Sequence, residues 1–284
     1  MKNLIIALTV AFQWNAFAAE PPNDPHFHHV HLNVMDPAKS VAFYKKHLGA
    51  IDVNYKGKTK AVFTERSFIF MNKVSDPAPN EPNTALMHIG WAGTDGDAKY
   101  EWLKKGGVDF QTHISSFSGN QYMYFWGPDR ELIEIYTGSQ NHRFEHTHYW
   151  AKDPNVLADW FIDHIGIQGS RQNRPRPKAG LWMRVGVLDN TNFVIFGLPE
   201  KGAANWPEGM GDDFEPTKGH VMDHLAFSFR DIKPVFEKMK KDGVEIVEPI
   251  AMRAEGHESF FVMAPGKLLI EVVEAKPIPD SSWE

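Results

Sequence analysis

Apolar and polar positions alternate with period two through "HVHLNV", so Val30, Leu32 and Val34 share one face of a strand while His29, His31 and Asn33 share the other. The period then lengthens. In "DPAKSVAFYKKHLGA", Val41, Phe43, Tyr44 and Leu48 fall near helical spacing, and Gly49 marks a stop. The same succession recurs three more times: "ALMHIGWAGTD" leads into "GDAKYEWLKKGGVDF", "FEHTHYWAKD" into "PNVLADWFIDHIG", and "HVMDHLAFSFRD" into "IKPVFEKMKKDGVEI". Each helix ends near glycine and is followed by short strand-like apolar runs such as "SFIFMNKV", "YMYFWG", "NFVIFG" and "SFFVMAPG". The pattern predicts an α+β chain of four βαβββ modules.

The modules group in pairs, because "GPDRELIEIYTG" (127–138) and "APGKLLIEVVEA" (264–275) close each half with the same turn and strand. Repetition on this scale implies duplication. The polar connector "SQNHRFE" separates a first domain, 26–138, from a second, 144–276. Residues 199–219, rich in Gly, Pro and acidic side chains, read as a loop inserted only in the second half, either a lid over a site or a passive surface insertion.

A chain of 284 residues has room for two domains that each bury a core. The net charge of -6, without any basic stripe, argues against nucleic acid as a partner. The opening "MKNLIIALTVAFQWNAFAAE" has a basic Lys2, an apolar run from Leu4 to Phe12 and small residues at Ala16 and Ala18. That is the layout of a secretory signal peptide over residues 1–19, too short to span a bilayer comfortably. A periplasmic or secreted protein is expected. Loss of Lys2, the one charged side chain of that segment, takes the net charge from -6 to -7. With no cysteine in the chain, metal ligands are restricted to His, Asp and Glu.

Each half offers a histidine in its first strand, a histidine in its middle repeat strand and a glutamate in its closing strand. These are His29, His88 and Glu134, then His146, His224 and Glu271. Ile89 and Trp91 alternate with His88, Ile133 and Ile135 flank Glu134, Leu225 and Phe227 alternate with His224, and Ile270 and Val272 flank Glu271, so all six face away from the core. His88 and Glu134 stand 46 positions apart, His224 and Glu271 47. Two imidazoles and a carboxylate suit a divalent transition metal with coordination positions left open. Fe(II), Mn(II), Zn(II) and Ni(II) all suit this donor set. His31 and His148 repeat two positions after His29 and His146, and with His257 they are candidate second-sphere or substrate contacts.

The segments "HHVHLNVMDPAKSVAFYKKHLGA", "LMHIGWAGTD" and "GPDRELIEIYTG" resemble the vicinal oxygen chelate superfamily, which includes glyoxalase I, extradiol dioxygenases, and fosfomycin and bleomycin resistance proteins. The resemblance implies paired βαβββ modules cupped around a metal that two substrate oxygens chelate, with the six residues above at the ligand positions. It also implies a choice of chemistry, with Fe(II) the favoured metal on the dioxygenase side and Mn(II), Zn(II) or Ni(II) as alternatives. Two-histidine, one-glutamate triads are more similar to the extradiol dioxygenases, which place a tyrosine about ten residues before the metal glutamate, as Tyr124 is placed here. The second half has Phe261 there, so the first half is expected to be catalytic. The dioxygenases' acid-base histidine is replaced by Arg66 and Asn192, and a further histidine is represented only by His113, a couple of positions out of register. The alternatives are a glyoxalase-type lyase or isomerase and a non-catalytic small-molecule binder. A thiol-adduct substrate fits an exported protein badly.

Overall fold

The computed structural model describes residues 22–79, 83–138, 143–169, 182–204 and 206–276. The leader-like residues 1–19, and residues 139–142 of the connector, lie outside the described residues.

Four βαβββ modules follow one another. The first is β1 (His26–Val34), α1 (Pro37–Leu48), β2 (Ile51–Tyr55), β3 (Thr59–Phe63) and β4 (Phe68–Lys73). The second is β5 (Leu86–Gly93), α2 (Gly96–Lys105), β6 (Phe110–Phe117), β7 (Asn120–Trp126) and β8 (Leu132–Thr137). In the third, β9 (Phe144–Ala151) and α3 (Pro154–Trp160), extended by a π-helical turn at Phe161–Ile165, precede β10 (Gln168–Gly169), β11 (Trp182–Leu188) and β12 (Thr191–Gly197). The fourth is β13 (Met222–Phe229), α4 (Lys233–Lys241), β14 (Glu245–Met252), β15 (Glu258–Ala264) and β16 (Leu268–Glu274). Local chemistry sets the helix ends. Asp36 caps α1 through the backbone N–H groups of Ala38 and Lys39, and Gly49 stops it at φ 70°, a left-handed conformation that favours glycine.

The modules pair across the halves of the sequence. One eight-stranded sheet has the order β14-β15-β16-β13-β1-β4-β3-β2 and joins the fourth module to the first; the other, β10-β11-β12-β9-β5-β8-β7-β6, joins the third to the second. The seams are the antiparallel pairs β1 with β13 and β5 with β9. The tandem halves expected from the sequence are therefore units of the chain, and each sheet takes one module from each half.

The core lies between the two sheets. Phe27 of one seam stacks on Phe144 of the other, with ring centroids 5.7 Å apart, and both Phe193 and Phe227 meet Phe27 edge-on. A second buried cluster, Val53, Tyr55, Ala61, Phe63, Phe68 and Phe70, fills the hollow face of the first module.

The inserted loop 199–219 contributes no described residue to the lining of the pocket over Glu134, His146 and His148. Its Gly211 and Glu215 N–H groups donate to Asn83 ahead of β5, and Thr217 N–H donates to Lys267 O ahead of β16, so it stitches one sheet to the other. Met210 and Phe214 are buried beneath it.

Candidate functional site

Two histidine-glutamate clusters form on the concave faces, one at each seam. In the β5/β9 sheet, His88, Glu134, His146 and His148 each present one ligand atom, all within 4.8 Å of one another. His88 Nε2 lies 2.9 Å and His146 Nε2 2.8 Å from the same oxygen, Glu134 Oε2. At the other seam His29, His31 and His224 form such a group, and His29 Nε2 and His224 Nε2 lie 3.3 and 3.4 Å from Glu271 Oε2. The grouping by halves is thus corrected: His146 joins His88 and Glu134, and His29 joins His224 and Glu271. The reason is topological. The first strand of each half pairs at its seam with the middle strand of the other half.

The seams are built alike. "FHHVH" in β1 and "FEHTH" in β9 each carry a one-residue bulge, at His28 and at Glu145, seen as a register shift against the partner strand. The extra residue lets Phe27 and Phe144 face the core while the next two side chains turn to the cluster. Glu145 Oε2 sits 2.6 Å from His146 Nδ1, and His28 Nδ1 2.8 Å from His29 Nδ1. Such contacts on the far ring nitrogen orient a ligand imidazole. The middle strands match too. Gly90 pairs with both His146 and Glu134, and Ala226 with both His29 and Glu271. A Cβ on Gly90 would stand 1.9 Å from His146 Nε2, so only glycine lets that ring cross the strand. A small residue two positions after His88 and His224 was the available signal for both positions.

Buried surroundings set the charge states. Burial pushes His148 and His29 well below the usual imidazole range, and His31 down to about 3. Burial also opposes charge on His146 and His224, but Glu134 and Glu145 around the first, and Asp223 and Glu271 around the second, outweigh it and raise each to about 9. Burial likewise disfavours the charged form of Glu134 and Glu271, yet their histidine partners hold both carboxyls well below the usual range. Each cluster therefore gathers neutral imidazoles, one protonated imidazole and a carboxylate. A divalent cation fits this donor set by displacing one proton. Buried His148 Nδ1, His29 Nε2 and His224 Nε2 have no hydrogen-bond partner among the described residues, as expected of nitrogens aimed at an ion.

The walls distinguish the two clusters. A pocket of about 540 Å³ opens over Glu134, His146 and His148, lined also by Tyr122, Tyr124, Arg184 and Asn192. At the other cluster the positions of Tyr124 and Asn192 are taken by Phe261, paired with Glu271, and Phe68, paired with His29. Phe70 stacks on His29 at 4.0 Å. Arg66, the residue aligned with an acid-base position from sequence, is exposed outside β4, and Phe68 holds that register instead.

Other expected residues divide. The structure puts Tyr124 beside the cluster, its ring 5.1 Å from that of His88 and its strand position opposite Glu134. His31 stacks on His224 with ring centroids 4.4 Å apart, and His148 lies tilted against His146 at 4.6 Å. His257, a candidate second-sphere or substrate contact, is buried with Nε2 3.1 Å from Glu271 Oε1. His113 is separate from both clusters, because its ring stacks on Phe110 and its Nδ1 takes the Tyr100 hydroxyl at 2.8 Å.

The chain is similar to several known proteins. A family model described as the Glyoxalase/Bleomycin resistance protein/Dioxygenase superfamily matches residues 26–135 and 143–272. Glyoxalase I of Saccharomyces cerevisiae is 24% identical over 191 residues, covering 51% of this chain and 59% of the yeast protein. Metallothiol transferase FosB of Staphylococcus epidermidis is 28% identical over 122 residues, 42% of this chain and 87% of FosB. The crystal structure of glyoxalase I from Zea mays shares the fold, with a TM-score of 0.69 at 12% identity over 89% of this chain and 93% of the maize chain. With matches over both halves and two seams built to one plan, the protein belongs to the glyoxalase/bleomycin resistance protein/dioxygenase superfamily.

Proposed function

We propose that the protein is a divalent-metal-dependent enzyme acting on a small substrate with two adjacent oxygens, in an oxygen-consuming reaction of the extradiol type. The observation that carries this reading is the convergence of His88 Nε2 and His146 Nε2 on Glu134 Oε2 at the base of a 540 Å³ pocket. Two histidines and a carboxylate with open positions are the donor set of non-haem Fe(II) oxygenases. A metal held by His88, His146 and Glu134 supplies Lewis acidity toward paired substrate oxygens and, when it is iron, reactivity toward oxygen.

The chain's own residues prepare the pocket. Burial and the nearby Glu134 push the Tyr124 phenol up, so it stays protonated and donates a hydrogen bond to a substrate oxygen. Asn192 Nδ2 donates to Glu145 Oε1 at 2.6 Å, which fixes the carboxylate that in turn orients His146. Arg184, exposed at the pocket wall, offers a cation to an ionised substrate. The reading includes export, on the strength of the basic and apolar pattern of residues 1–19.

A second reading, an oxygen-independent lyase or isomerase, is favoured by Glu145, a second carboxylate in the pocket lining beside the metal position. Likeness to glyoxalase I supports it as well. The deciding experiment loads the purified protein with Fe(II), Mn(II), Zn(II) or Ni(II) and follows catechol and a hemithioacetal in parallel, with and without oxygen. Oxygen uptake with the iron form supports the first reading. Turnover of the hemithioacetal without oxygen supports the second, and tight binding without turnover of either leaves a binding protein.

A further inference from the structure

A second cavity of about 400 Å³ follows the metal pocket along the same sheet. Tyr124, Glu134 and His148 line the metal pocket, while Trp126, Leu132 and Trp150, each two residues further toward the same end of the sheet, line the second cavity. Two residues of strand advance about 7 Å on one face. Met87 lines both spaces.

Met87 sits at a bulge, between Leu86 paired with Tyr149 and His88 paired with His148. The matching bulge at the other seam is Asp223, whose carboxylate lies 2.6 Å from His224 Nδ1. Methionine makes no such bond, and His88 Nδ1 is left without a partner among the described residues. The position has exchanged a ligand-orienting acid for an unbranched, adaptable side chain at the boundary of two cavities. The far cavity is bounded by Pro207 of the inserted loop and by His220, which is 7% exposed. His220 Nε2 faces Glu215 at 3.3 Å, and its Nδ1 has no hydrogen-bond partner among the described residues.

We propose that the second cavity receives an apolar, aromatic-sized arm of the same substrate, which passes Met87 and presents a hydrogen-bonding group to His220. The proposal rests on the reading of the metal pocket as a site for paired oxygens. It narrows the substrate class to vicinal diols bearing an aryl substituent. Trp126, with the Arg130 guanidinium 4.3 Å from its ring centroid, and Trp150 supply the flat walls such a group packs against.

The test is calorimetric, on full-length protein loaded with Zn(II), using catechol, 4-phenylcatechol and 4-(4-hydroxyphenyl)catechol. Burying the phenyl arm is expected to tighten binding by about tenfold to a hundredfold over catechol. The terminal hydroxyl should add a further gain that His220→Phe removes. Trp126→Ala, which removes a wall without adding bulk, should cancel the phenyl gain and leave catechol affinity unchanged, and Met87→Trp, which fills the passage, should weaken 4-phenylcatechol more than catechol. Equal affinity for catechol and 4-phenylcatechol, or a gain that survives both variants, overturns the arm while the diol reading stands. Failure of the Zn(II) protein to bind any of the three overturns the diol reading and the arm with it.

Discussion

Glu134 stands in the closing strand of the first half of the chain and His146 in the opening strand of the second, yet Glu134 Oε2 and His146 Nε2 are 2.8 Å apart. The pair ties the two repeats into one centre. If it defines a metal site, Glu134→Gln and His146→Ala each lose the same single equivalent of metal, and the double variant loses no more. Elemental analysis after reconstitution checks this. Glu134→Gln combined with Glu271→Gln should lose two equivalents, whereas a loss of two from Glu134→Gln with His146→Ala would restore grouping by halves.

Tyr124 is the polar wall residue that Phe261 replaces at the other seam. Tyr124→Phe is expected to lower kcat by about a hundredfold, within the usual range for a positioned proton donor, with metal content unchanged. A variant that lost metal in parallel with activity would instead make Tyr124 part of the metal scaffold.

Gly90 has no room for a side chain. Gly90→Ala drives a methyl into the His146 ring and should cost about 1–3 kcal/mol of stability together with the metal of the β5/β9 cluster. Ala226→Gly, at the equivalent position, should keep the metal of its own cluster and cost about 1 kcal/mol or less. Denaturant melts with and without metal distinguish the two.

Glu131 is 1% exposed, accepts from the Tyr44 hydroxyl at 2.9 Å, and is raised by burial to about 7. Its folded pKa lies above its unfolded one, so between about pH 4.5 and 7 the folded state holds the extra proton and stability falls as pH rises. Above pH 7 the cost is complete, on the order of 3 kcal/mol. Glu131→Gln should therefore gain stability over the wild type as pH goes from 5 to 8, measured by urea unfolding; a constant difference across that window would refute the shift.

Export predicts a processed chain. Intact-mass measurement of protein from the periplasm or medium should find an N-terminus at Glu20, and a full-length cytoplasmic product would exclude the proposal.

By itself the sequence determined the four modules, the glycines near which their helices end and the six ligand candidates, because these depend on short-range periodicity and on the residues that stop helices. His88 and Glu134 were legible as partners since one module carries both, on parallel neighbours β5 and β8. Which histidine joins them was decided only by the tertiary structure. The choice rests on which strands meet at the seams, and no local pattern encodes that pairing. Strict alternation carried back from Val30 would turn Phe27 to the polar face of β1, but a bulge at His28 places Phe27 among Phe144, Phe193 and Phe227. A bulge costs one residue of register and is stabilised by packing from the opposite sheet, so its position follows from contacts far away in sequence. The contrast between a polar pocket at one cluster and an aromatic filling at the other has the same origin: Asn192 and Phe68 look unrelated along the chain and become equivalent only when their strands align with His146 and His29.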